Sequence, residues 1–262
     1  MPTATAKDGC PINYQVEGPA NATVLMLCNS LGTDLHMWDR TAADMKDRFR
    51  VLRYDQRGHG GTDAPAGRYT FDLVIADIIA LMDTLGIAKA NWCGISMGGA
   101  TAMGAVQKHP DRFDRLAICD TPGQSTPTTA QQWEARIDNA QKNGMQAELD
   151  STINRWFPPE TVKANPPHLD ALRKMILSTP VNGFCGCSAA LADHNYRPGM
   201  KDVKNRVLYM CGEKDGHNAA AMRRMQQEFP AAKYVELPGA GHISNMDQPE
   251  LFSRSLREFL TA

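Results

Sequence analysis

At 262 residues, with 42% of them hydrophobic and a formal net charge of −1, the chain suits one large domain or one domain carrying an insertion. The balanced charge offers no basic stripe for nucleic acid, and no apolar run approaches the roughly 20 residues that span a bilayer. Seven cysteines without metal-type spacing, and a short polar start at residues 1–9 that is no signal peptide, point to a reduced, soluble, cytoplasmic protein.

In chain order, residues 12–16 alternate apolar and polar, as a half-exposed edge strand does. Residues 18–22 read as a turn, and 24–28 form a continuous apolar run expected of a strand buried on both faces. The loop Asn29-Ser30-Leu31-Gly32 follows, then Trp38 and an amphipathic helix to about Phe49. A strand at 50–54 ends in Asp55-Gln56-Arg57-Gly58-His59-Gly60, where Asp55, Arg57 and His59 suggest a turn braced by side-chain hydrogen bonds. Apolar spacing of three and four predicts a helix over 71–85. A short apolar run then enters Gly94-Ile95-Ser96-Met97-Gly98, followed by a small-residue helix to about His109 and a strand at 116–119 with Asp120 at its end.

From about 122 to 198 the rhythm changes. Helical segments carrying Trp133, Arg136, Trp156 and Phe157 are broken by prolines at 158, 159, 166 and 167, and we read an inserted helical cap. Strand 206–211 ends at Gly212-Glu213-Lys214-Asp215; helix 222–229, strand 233–237, the loop Gly239-Ala240-Gly241-His242 and an amphipathic helix at 249–260 complete the chain. Alternating strands and helices imply a mostly parallel sheet covered on both faces, with 1–121 and 199–262 as the core and 122–198 as the cap.

The chemistry follows from this order. Glycines two positions either side of Ser96 permit a strand-to-helix turn tight enough to present its hydroxyl at the sheet edge. A serine hydroxyl needs a base within hydrogen-bond reach, best held in one tautomer by a carboxylate. Ser96, Asp215 and His242 each follow a predicted strand, so a parallel sheet brings all three to one edge. Asp120 also ends a strand and is the competing acid, with Asp215 favoured. An oxyanion would need two backbone donors, expected at Met97 and Leu31.

With these residues assembled, the chain resembles the α/β-hydrolases from end to end. More narrowly it resembles the 3-oxoadipate enol-lactonases, on Asn29-Ser30-Leu31-Gly32-Thr33-Asp34-Leu35-His36-Met37-Trp38, Trp133-Glu134-Ala135-Arg136-Ile137, Arg155-Trp156-Phe157 and Gly186-Cys187-Ser188-Ala189-Ala190. The resemblance implies opening of a carboxylate-bearing enol-lactone through an acyl-enzyme on Ser96, with His242 as base then acid and Asp215 as its orienter. Arg136 is the candidate for the substrate carboxylate, because a guanidinium matches a carboxylate in a fork, or else a solvated charge on a cap helix; Trp133 and Trp156 are pocket walls or cap core. Gly216-His217-Asn218 departs from the Thr-Pro-type turn of that family and leaves His217 beside the acid, to bind substrate or face water.

A carboxylesterase or other lactonase, a cofactor-free perhydrolase and a carbon–carbon bond hydrolase would share the three catalytic residues, whereas a pure binding protein would not need them. The expected partner is a small ester or lactone, with no nucleic acid, membrane, metal or organic cofactor. A homo-oligomer is compatible with the sequence.

Overall fold

The structure, a computed structural model, describes residues 1–262. Its centre is an eight-stranded sheet ordered β1-β2-β4-β3-β5-β6-β7-β8. Here β1 is Thr3–Thr5, β2 Pro11–Glu17, β3 Val24–Cys28, β4 Arg50–Tyr54, β5 Ala90–Ile95, β6 Phe113–Cys119, β7 Arg206–Gly212 and β8 Lys233–Leu237. The first two pairings, β1 with β2 and β2 with β4, are antiparallel, and all the others are parallel. The run 24–28 is buried at every position, as both-face coverage requires. The strand at 116–119 begins three residues earlier than its apolar pattern, because Asp114 and Arg115 lie at the outer end of the sheet, where polar side chains reach water.

Helices α1 (Asp39–Met45), α2 (Phe71–Thr84), α3 (Met97–Lys108), α9 (Gly216–Glu228) and α11 (Pro249–Thr261), with the short α10 (Ser244–Asp247), connect the strands. Between β6 and β7 stand α4 (Pro127–Asn143), α5 (Gln146–Trp156), α6 (Pro159–Ala164), α7 (Pro167–Ser178) and α8 (Val181–Asp193). The prolines expected to break this region instead start α6 and α7, where the missing N–H costs nothing. The segment leaves and returns at one point: Gln124 and Asn195 form an antiparallel bridge, and the amides of Tyr196 and Arg197 both donate to Gly123 O. No single helix is long and apolar enough to cross a membrane.

Asp55 links two loops at the carboxyl edge of the sheet. It is 1% exposed; its Oδ1 accepts from the Leu35 amide at 2.7 Å, and its Oδ2 from the Gly61 amide at 2.8 Å and Asn13 Nδ2 at 2.6 Å. Arg57, equally buried, forms a two-bond pair with Asp77 (2.8 and 2.6 Å) and reaches Asp8. The turn is therefore braced by side chains, as its composition suggests. In Asp55→Ala the Leu35 and Asn13 donors stay buried without an acceptor, at about 1–3 kcal/mol each. Urea unfolding should show a stability loss of at least about 2 kcal/mol.

Candidate active site

Ser96 stands between β5 and α3 with φ 56° and ψ −113°, a conformation that costs a non-glycine residue about 1–3 kcal/mol. The flanking glycines make it possible. A Cβ on Gly94 would lie 2.4 Å from the Gly98 backbone, and one on Gly98 would lie 2.2 Å from Cys28 O. The new helix thus passes against the end of β3 and brings its N-terminus beside the loop 29–32. The Ser96 amide donates to Cys119 O at 2.9 Å, which fixes the turn to β6.

That loop is held from beneath. Asn29 Nδ2 donates to Thr33 O at 2.6 Å, and Gln56 Nε2 donates to Asn29 O at 2.5 Å. Burial pushes the pKa of His59 down to about 4, so its ring is neutral. Its Nδ1 donates to Arg57 O at 3.2 Å, which leaves Nε2 to accept from the Gly32 amide at 2.9 Å. The Leu31 amide has no acceptor in the protein, and Met97, as the first residue of α3, has none within its helix. Two free N–H groups therefore flank the Ser96 region, the second at the positive end of a twelve-residue helix.

Across the site, His242 Nδ1 lies 2.9 Å from both Asp215 carboxylate oxygens. Asn218 Nδ2 donates to the same carboxylate at 3.1 and 3.2 Å. Burial works against the imidazolium, but the charge and hydrogen bond of Asp215 outweigh it, so the His242 pKa is raised above 6.5. Ser96 and His242 line one cavity without a hydrogen bond between them, a link that commonly tightens only around substrate.

Asp120, the competing acid, makes no bond to His242. Its Oδ1 accepts from the Gly212 amide at 2.8 Å and its Oδ2 from Ser244 Oγ at 2.5 Å. It is fully buried at φ 52°. Burial first, then the charge of Asp215, hold its pKa well above the carboxylate range. Asp120, Asp215 and the Cys211 thiol cluster closely enough to suggest metal ligation, but the carboxylate oxygens are already spent on these hydrogen bonds.

The cavity has a volume of about 520 Å³, and its walls include Leu31, Trp133, Arg136, Arg155, Trp156 and His217. Arg136 is already engaged. Its Nε donates to Glu148 at 2.7 Å and its Nη2 to Thr152 at 2.9 Å, and it lies 4.8 Å from the Trp133 ring centroid and 5.0 Å from that of Phe184. Arg155 has no carboxylate partner, and its one hydrogen bond is a 3.5 Å contact to Thr152 Oγ1. Its side chain is exposed through the open cavity; the surrounding protein atoms, then the like charge of Arg136, act to lower its pKa from the ordinary value.

The sequence model of the alpha/beta hydrolase fold matches residues 23–249. The chain belongs to that family. It is 33% identical to the 3-oxoadipate enol-lactonase 2 of Acinetobacter baylyi over 97% of this chain and 94% of that protein. The crystal structure of the enol-lactonase from Burkholderia xenovorans superposes with a TM-score of 0.94 at 37% identity, covering 100% of both chains. A thermophilic esterase from Thermogutta terrifontis, solved with malate bound, has a TM-score of 0.93 at 25% identity over 99% of this chain and 97% of that one.

The structure brings Ser96, Asp215, His242, Leu31, Trp133, Arg136 and Trp156 to one cavity, whereas the Met97 side chain is buried in the core and only its amide could take part. Helix α9 starts at Gly216, six residues before the position read from the sequence, because Asn218 closes its first turn on Asp215 O. His217 consequently projects from that turn into the cavity. The sequence assigns no role to Asn218 or Arg155; a polar residue three places after a strand-end acid was the one available signal for Asn218.

The raised Asp120 pKa has a stability consequence. A carboxyl whose folded pKa lies above its unfolded value stabilises the fold when protonated, and that contribution is lost as pH rises from the ordinary 3.8 through the raised value. Asp120→Asn keeps an acceptor for Gly212 and a partner for Ser244 while removing the buried charge. Its stability relative to the native protein, measured by urea unfolding across that range, should increase with pH.

Proposed function

We propose that the chain is a serine hydrolase that opens a carboxylate-bearing enol-lactone, 3-oxoadipate enol-lactone to 3-oxoadipate, through an acyl-enzyme on Ser96. The observation that carries this reading is the combination, in one cavity, of a strained elbow serine, an Asp215–His242 pair and an arginine without a carboxylate partner. The relatives named as enol-lactonases, and a neighbour of the same fold that holds the small dicarboxylate malate, support it.

In this mechanism His242 takes the Ser96 proton as Oγ attacks the lactone carbonyl, and the amides of Leu31 and Met97 stabilise the oxyanion. Collapse of the tetrahedral intermediate breaks the ring C–O bond and expels an enolate. The enolate takes the proton from His242 and becomes the ketone. Water, deprotonated by His242, attacks the acyl-enzyme, and the proton returns to Ser96 Oγ as the diacid leaves. An enolate is a better leaving group than an alkoxide, so His242 has little acid catalysis to supply in ring opening.

Arg136 is paired with Glu148, whereas Arg155 has no carboxylate partner, which leaves a net positive wall for the substrate's carboxylate. A guanidinium meets a carboxylate in a two-bond fork. The sequence favoured Arg136 for this role; Arg155 is the better placed, because Glu148 already compensates its neighbour. All seven cysteines are free and buried, which fits a reaction in the cytoplasm.

Purified protein should deplete enol-lactone absorbance with kcat/KM of about 10⁴ M⁻¹s⁻¹ or more, and Ser96→Ala should abolish it. Arg155→Met should raise KM for the acidic lactone roughly tenfold or more, far more than for p-nitrophenyl acetate. Cleavage of the neutral ester alone would leave an esterase of different specificity. Because His242 must be neutral to act as base, kcat/KM should fall with decreasing pH along a limb whose midpoint lies above 6.5. Asp215→Asn, which removes the charge and hydrogen bond that raise it, should lower that midpoint and cut kcat by about 10³–10⁴.

A further inference from the structure

The end of α5 bears directly on the His242 loop. The His242 amide donates to Trp156 O at 2.6 Å. The Trp156 indole stacks on the His242 ring, with centroids 6.1 Å apart and planes at 28°. The approach is possible only because the residue before His242 is glycine: a Cβ on Gly241 would lie 2.2 Å from Trp156 O and 3.1 Å from Phe157 Cα. The same indole extends to the loop beside Ser96, its Cη2 standing 4.0 Å from where a Gly32 Cβ would be. Trp156 is 5% exposed, so the ring fills the gap between the two loops.

We propose that Trp156 is a positioning residue for His242, so that the helical segment between β6 and β7 holds the base as well as enclosing the substrate. This rests on the reading of Ser96 and His242 as the reacting pair. The carbonyl of Trp156 is among the last four of α5 and has no partner within the helix, so the His242 amide completes it. The helix also directs its negative end at the imidazole, which favours the imidazolium formed as Ser96 attacks. The indole lies offset against one side of the ring, where it limits rotation of the imidazole and keeps water from that side. The titratable groups facing His242 are Asp215 at the end of β7, the neutral Asp120 at the end of β6 and Arg155 on α5.

The test uses p-nitrophenyl acetate, whose acetyl group asks nothing of the arginine wall, and compares Trp156→Ala with Trp156→Phe. A misplaced base lowers kcat by about tenfold or more in the alanine variant, with KM within about threefold, while phenylalanine restores most of it. Loss of the indole also lets water reach the imidazole. Burial opposes the imidazolium, so the acidic limb of kcat/KM moves to higher pH in Trp156→Ala by about half a unit. If Trp156→Ala does not fold, Trp156→Leu keeps apolar volume without a ring face and should show the same split. Native kcat and an unmoved acidic limb in a folded variant, with a change in KM alone, would overturn the proposal and leave Trp156 as a pocket wall. Native protein inert toward the ester, with Ser96 unlabelled by an organophosphonate, would overturn the function reading itself.

Discussion

The backbone at Ser96 constrains everything around it. A residue at φ 56° and ψ −113° is tolerated only where the surrounding structure over-determines it, and here two close approaches do so. Gly98 lies against Cys28 O and Asn29 O, and Gly94 lies against the first turn of α3. Because β5 has β3 on one side and β6 on the other, pulling α3 onto the end of β3 places its N-terminus beside the loop 29–32. The strained residue, the helix end and the free Leu31 amide are thus three consequences of one packing arrangement.

The same edge of the sheet explains how two buried carboxylates serve different ends. Asp215 and Asp120 sit at the ends of adjacent strands, and each depends on the donors within its reach. Asp215 has Asn218 and the His242 ring, whereas Asp120 has the Gly212 amide and Ser244. Ser244 lies two residues beyond His242, so Asp120 holds the loop that Asp215 orients. Full burial and the nearby Asp215 charge make ionisation of Asp120 unfavourable. A neutral carboxyl can form both of its observed hydrogen bonds without placing a second charge beside the first.

What could be read from the sequence depended on whether the cause was local. The elbow was legible because its glycines are required at fixed offsets, and Asp215 because the end of a parallel strand must lie at the common edge. The Asp55 turn was legible as a brace, but its partners Leu35 and Asn13 come from a distant loop and from β2 and leave no local mark. Arg136 was a reasonable choice by residue type. Its pairing with Glu148, twelve positions away and 2% exposed, was not legible, because no spacing rule announces which of two arginines a buried glutamate will pair with. The contact of Trp156 with His242 runs through a backbone carbonyl, which every residue possesses, so sequence could show a tryptophan and no more.

Arg155 and Trp156 are neighbours at the end of one helix, so the proposed carboxylate contact and the His242 contact cannot move independently. A displacement of α5 that moved the Arg155 guanidinium toward a longer or shorter acid would carry the Trp156 carbonyl and indole with it, and these rest on His242. Gly241 leaves no space to absorb such a shift, because its backbone is already in contact with Trp156 and Phe157. The short α6 buries none of its residues and bears no such burden, so it can vary without disturbing His242, whereas α7 packs on α5 and sets Ile176 in the cavity wall. Change of substrate on this framework is therefore easiest through side chains that line the cavity from α4 and α8, and hardest at the last turn of α5.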